Sequence, residues 1–123
     1  MATILLAEDE DSVGAFVSRA LTQLGHDVTR VADGLAAVSA LARKPFDLLL
    51  TDIVMPEMDG IALALKASKD YPAMKILLMT GYAAERQRAH NLEALVHRVV
   101  MKPFTLEEIQ KAVSELLGSS IES

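Results

Sequence analysis

With 123 residues, 51% of them hydrophobic and only 4% aromatic, the chain has material for one domain with an aliphatic core. A net charge of −5 speaks against a nucleic-acid binder, which needs a basic face, and the lack of cysteine excludes disulfides and thiolate metal sites. No apolar run is long enough to span a membrane and no secretory leader opens the chain, so a cytoplasmic domain with no membrane contact is expected.

The first predicted strand is Ile4 to Ala7, and it runs into four consecutive acids, Glu8, Asp9, Glu10 and Asp11. Crowded carboxylates repel one another unless something positive sits among them. Such a turn is either merely solvated or a cation site. A helix follows, with Val13, Phe16, Val17, Ala20, Leu21 and Leu24 on one stripe and Gly25 as its stop. Glu10 and Asp11 read as solvated acids at its start. The second strand is Val28 to Val31. Asp33 then opens a short Ala-rich helix that ends near Lys44-Pro45.

The third strand, Leu48 to Leu50, leads into Thr51-Asp52. A helix over Gly60 to Asp70 is closed by Tyr71-Pro72, and Asp59-Gly60 reads as turn chemistry, with Gly60 supplying backbone freedom. The fourth strand, Ile76 to Met79, is followed by Thr80-Gly81. Residues 83 to 95 form the weakest helical segment, polar with patchy apolar spacing, and "ERQR" at 85–88 reads as its solvated face. The fifth strand, Val96 to Met101, leads into Lys102-Pro103. Thr105 caps a last helix with Glu108 completing a capping box, and Leu106, Ile109, Val113 and Leu116 line its stripe. His26, His90 and His97 show no metal spacing and read as surface residues.

Strand and helix alternate five times. That predicts an α/β fold, a single doubly wound domain with a central parallel sheet. Its apolar runs do not alternate, as suits strands buried on both faces. In such sheets ligands bind beyond the carboxyl ends of the strands. Three carboxylates, a hydroxyl and an ammonium are therefore expected to converge there: Glu8, Asp9, Asp52, Thr80 and Lys102. Carboxylates with waters suit a hard divalent cation, Mg²⁺ (or Mn²⁺), and answer why the acids are crowded.

The segments "ILLAEDE" at 4–10, "DLLLTDIVMPEMDG" at 47–60, "LLMTGYA" at 77–83 and "VVMKPF" at 99–104 together resemble the receiver domain of bacterial two-component response regulators. The resemblance implies a CheY-like (flavodoxin-like) (βα)5 fold with strand order 2-1-3-4-5. It makes Asp52 the phosphoacceptor, Asp9 a direct Mg²⁺ ligand, Glu8 the second acid and the Val54 backbone carbonyl a further ligand. Thr80 becomes the switch hydroxyl and Lys102 the cation for the phosphoryl group, with a cis bond before Pro103. It also implies a protein that is no enzyme in the ordinary sense, since it catalyses only its own phosphorylation from phosphohistidine and a slow hydrolysis.

One position departs from the pattern. Receivers commonly carry an aromatic residue three places before the lysine, and Val99 stands there. Tyr82 is the nearby aromatic and is expected to take over as switch or partner contact. Residues 1–118 are expected to be the receiver and 119–123 a short tail, with no output domain.

"TDIVMPEMDGIALALKAS" at 51–68 and "MTGYAAERQRAHNLEALVHRVV" at 79–100 further resemble the CpdR type of stand-alone receiver. That resemblance implies a switch whose unphosphorylated form promotes ClpXP-dependent proteolysis. Its partners would be a hybrid histidine kinase, a histidine phosphotransferase and the ClpX unfoldase or protease adaptors. A phosphoryl shuttle between histidines and a chemotaxis-type receiver are the alternatives. A haloacid-dehalogenase phosphatase would need a second Asp at position 54, and a flavodoxin would need a hydroxyl-rich loop where the acids stand.

Overall fold

Five apolar runs pair as parallel strands in a computed structural model that describes residues 1–81 and 97–118. They are β1 (Thr3–Ala7), β2 (Asp27–Val31), β3 (Leu48–Asp52), β4 (Lys75–Thr80) and β5 (Arg98–Met101), in the order β2-β1-β3-β4-β5. Four helices accompany them among the described residues: α1 (Asp11–Gln23), α2 (Gly34–Arg43), α3 (Gly60–Asp70) and α4 (Leu106–Leu117). None is long and apolar enough to cross a membrane. The expected doubly wound fold and strand order are therefore observed. The segment 83–95, Tyr82 and the tail 119–123 lie outside the described residues.

The two-residue period of a strand divides the core in two. Leu5, Leu49, Ile76 and Leu78 face α2 and α3, where Leu41, Leu63 and Ala67 meet them. Ile4, Leu6, Leu50, Leu77 and Met79 face α1 and α4, packing with Val17, Leu21, Ile109 and Val113. The central strands β1 and β3 are buried almost throughout, whereas the edge strands β2 and β5 are only half-buried, so the non-alternating pattern is strict only in the middle of the sheet.

Caps stand where the sequence places them. Asp33 accepts the Ala36 N–H at 2.8 Å, and Thr105 and Glu108 close the reciprocal box. Gly25 takes a left-handed φ of 89° just past α1. Gly60 differs from expectation. It opens α3 without positive φ, and its role is close approach: a Cβ there would lie 2.1 Å from the Asp52 carbonyl oxygen. Asp59 is the cap, accepting the Ala62 N–H at 2.8 Å. The left-handed residue in this loop is Glu57, at φ 73°. Leu24, placed on the α1 stripe, is exposed. His26 is half-buried rather than a plain surface residue, because its Nδ1 accepts the Ala2 N–H at 3.0 Å.

Candidate functional site

The strand order reverses direction between β1 and β3, which opens a crevice at their carboxyl ends. In register, Ala7 lies beside Thr51 and Asp52 beside Met79, so Glu8 and Asp52 emerge at one level. The backbone continues the ladders one step further. The Glu8 N–H donates to the Val31 carbonyl and the Ile53 N–H to the Met79 carbonyl, each at 3.0 Å. Asp52 is thereby held at the rim, 8% exposed, while Glu8 is fully buried and Asp9 is exposed. The four acids are thus not equivalent: Glu10 and Asp11 are exposed residues of the helix entry, as expected.

Glu8, Asp9 and Asp52 each bring a carboxylate oxygen within 4.8 Å of the others. Lys102 closes the group from just past the end of β5. Its Nζ lies 3.0 Å from Asp52 Oδ2 and 3.2 Å from Glu8 Oε1. The Lys102 N–H also donates to the Thr80 carbonyl at 2.7 Å, and the Lys102-Pro103 bond is cis. Thr80 is buried at the end of β4. A cavity of about 480 Å³ opens over the group, lined by Asp9, Glu10, Asp52, Val54, Gly81 and Lys102.

The charges are tuned by this packing. Burial raises the Glu8 carboxyl above its usual value; the Glu10 N–H bonded to it works the other way, and the neighbouring Asp52 adds to the rise. Burial opposes the Lys102 charge, but the hydrogen bond and charge of Asp52, with Glu8 behind it, outweigh that and hold the ammonium above the usual lysine range. Three carboxylates against one ammonium leave an excess of negative charge. The donors are hard oxygens with no imidazole or thiolate among them, so the set fits Mg²⁺ or Mn²⁺.

The structure therefore brings together Glu8, Asp9, Asp52 and Lys102, and sets Val54 on the cavity wall. Val99 is apart from them: it stands beside Leu78 in the sheet and packs against the core on the α2–α3 side. Tyr82 lies outside the described residues. One residue went unread in the sequence. Arg30 of β2 donates from Nε and Nη2 to the Glu8 carbonyl, at 3.0 and 2.7 Å. An arginine inside the apolar run Val28–Val31 was the available signal.

Comparison with known proteins follows the same outline. Residues 4–114 match the response regulator receiver domain. The chain is 41% identical over 117 residues to the response regulator receiver protein CpdR of Brucella abortus, covering 95% of this chain and 98% of that protein. It is 38% identical to part of the sensor kinase CckA of the same organism, covering 94% of this chain and 12% of the kinase. Among solved structures, a CheY-like receiver domain protein from Methanospirillum hungatei superposes with a TM-score of 0.89 at 28% identity, over 97% of this chain and 95% of the other.

Proposed function

The chain belongs to the response regulator receiver family of two-component signalling, and from that premise we propose that Asp52 is its phosphoacceptor in a Mg²⁺-dependent phosphorelay. The observation that carries this reading is the Lys102 ammonium bridging Asp52 and the buried Glu8 beside Asp9, at the rim of an open cavity.

The chemistry follows from those placements. An Asp52 carboxylate oxygen forms the new P–O bond as the P–N bond of a phosphohistidine breaks, and the departing imidazole takes up a proton. Asp52 is held at the strand end by its neighbours, so little reorganisation is needed to attack. Lys102, already on Asp52, follows the charge onto the phosphoryl oxygens. Thr80, at the end of the adjacent strand, offers its hydroxyl to a further phosphoryl oxygen. Glu8, Asp9, Asp52 and the Val54 carbonyl would hold Mg²⁺ (or Mn²⁺), which when bound would supply positive charge to offset the charge of the phosphoryl group. Water reverses the modification, so the protein catalyses only its own phosphorylation and slow dephosphorylation.

The output we assign is that of a CpdR-type receiver. Its receiver domain comprises residues 1–118, and it acts in the cytoplasm. Its unphosphorylated form promotes ClpXP-dependent proteolysis, and a hybrid kinase with a histidine phosphotransferase switches this off. The similarity to CpdR over nearly that protein's whole length supports this assignment. Likeness to a segment of a sensor kinase supports the second reading, a shuttle that only passes phosphoryl groups between histidines.

Two experiments test the reading. Incubation with acetyl phosphate and Mg²⁺ should add one phosphoryl group by intact mass, and Asp52→Asn should abolish it. Immobilised protein, untreated or treated with Mg²⁺ and beryllofluoride, should recover the unfoldase or its adaptors mainly in the untreated form. Recovery of a phosphotransferase alone in both states would favour the shuttle.

A further inference from the structure

We infer that Arg30 is a positioning residue for the metal-binding turn, holding the peptide between Glu8 and Asp9 from the neighbouring strand. The inference rests on the assignment of that turn to Mg²⁺ binding.

The argument starts where the β1–β2 ladder ends. Ala7 is the last residue of β1 paired in register, with Val31. Glu8 still donates its N–H to the Val31 carbonyl, but its own carbonyl has passed beyond the strand. Arg30 meets it there with two N–H groups, Nε at 3.0 Å and Nη2 at 2.7 Å. With its N–H and C=O both anchored, Glu8 has little freedom about either backbone dihedral. Because the peptide unit is planar, fixing the Glu8 carbonyl also fixes the direction in which Asp9 leaves.

The third nitrogen of Arg30 makes a 3.0 Å ion pair with Asp11. The Asp11 side chain is 96% exposed, so that pair contributes little by itself. Its use is to complete a span across the turn, from Glu8 to the first residue of α1. Room for the guanidinium comes from Gly14, a buried glycine inside α1. A Cβ at that position would lie 2.3 Å from Arg30 Nε and 2.6 Å from Cζ. Glycine weakens a helix interior, and here the guanidinium occupies the space a side chain would need.

Arg30 also carries charge, and charge alone acts in the opposite direction. A cation near the acids repels Mg²⁺, so removing it would tighten binding if position did not matter. A lysine at 30 keeps the charge and loses the fork, which separates the two effects.

The test compares wild type, Arg30→Lys, Arg30→Gln and Gly14→Ala by titration calorimetry with MgCl₂ and by amide hydrogen exchange without metal. Arg30→Lys and Gly14→Ala should both weaken Mg²⁺ binding, on the order of tenfold. Both should speed metal-free exchange at amides 9–14 while exchange in β3 and β4 stays as in wild type. Arg30→Gln should also bind more weakly despite the lost repulsion. Wild-type affinity and exchange in Arg30→Lys, or tighter binding in Arg30→Gln, would overturn the proposal. Absence of saturable Mg²⁺ binding in wild type would overturn the metal assignment instead. The exchange comparison then still decides whether Arg30 holds the turn, and unchanged exchange at 9–14 would overturn that too.

Discussion

Gly60 lies so close under Asp52 that a Cβ on it would stand 2.1 Å from the Asp52 carbonyl oxygen and 2.8 Å from the carbonyl carbon. The Gly60 N–H also donates to the Ile53 carbonyl at 2.7 Å, which ties the start of α3 to the end of β3. A methyl group cannot enter without pushing backbone against backbone. Gly60→Ala should therefore lose about 1–3 kcal/mol of stability and slow phosphorylation by displacing Asp52. Urea unfolding reads the first effect and acetyl phosphate labelling the second. A variant as stable as wild type would mean that α3 can shift freely relative to Asp52.

Lys102 is the partner that makes a fully buried Glu8 tolerable beside Asp52. In Lys102→Met without metal, the Glu8 carboxylate keeps, among the described residues, the Glu10 N–H at 3.1 Å. The loss should be about 2–3 kcal/mol near neutral pH, below the range for a fully buried pair because Lys102 is partly exposed. Glu8 is already raised above its usual 4.5, and losing the ammonium raises it further. A raised carboxyl contributes stability below its unfolded value and loses it as pH rises through the folded one. The deficit of Lys102→Met should accordingly shrink as pH is lowered from about 7 toward about 5. Equal deficits at both ends, measured by urea unfolding, would contradict this account of Glu8.

Most of this site was readable before any coordinates because its residues sit at the ends of apolar runs. Glu8 and Asp9 after β1, Asp52 closing β3 and Lys102 after β5 are gathered by parallel topology alone. What stayed hidden depends on distances across the packing. Arg30 belongs to no motif, and only the register of β2 beside β1 brings it to Glu8. Gly60 carried a turn signal, yet its reason is contact with the Asp52 backbone, which depends on how the loop at 53–59 folds back against the end of β3. The spacing of Pro56-Glu57-Met58-Asp59 marks a turn but does not say which residue takes the left-handed backbone.

Mg²⁺ should stabilise the fold through the same acids. At a concentration ten times its dissociation constant the gain is about 1.4 kcal/mol, visible as a rise in Tm. Asp9→Asn removes an exposed carboxylate of the cluster and should abolish most of the rise with little change in the metal-free Tm. Calcium-free buffers and a matched ionic strength separate site binding from general screening. A rise that persisted unchanged in Asp9→Asn would place the ion elsewhere.

Glu57 holds φ at 73° with an exposed side chain, a backbone state that costs an L-residue energy. Asn tolerates that region better. Glu57→Asn should raise stability by about 0.5–1 kcal/mol and leave acetyl phosphate labelling unaltered. A destabilised variant would show that the Glu57 side chain makes a contribution larger than its backbone strain.

The two described histidines give the molecule an acid-side weakness of their own. His26 Nδ1 accepts the Ala2 N–H and His97 Nδ1 accepts the Ile76 N–H, each at 3.0 Å, so both rings need that nitrogen unprotonated. Burial lowers both below their usual 6.5, aided by the terminal ammonium at His26 and by Lys75 at His97. With the folded value below the unfolded one, their contribution is present above 6.5 and is lost as pH falls through the folded values. Between about pH 7 and about pH 5 the wild-type Tm should therefore fall more than that of a His26→Asn, His97→Asn double variant. Asparagine keeps an acceptor near Nδ1 and cannot take up a proton in this range, so the comparison isolates titration from the hydrogen bond. Parallel Tm curves for the two proteins would assign the acid sensitivity to the carboxylates instead.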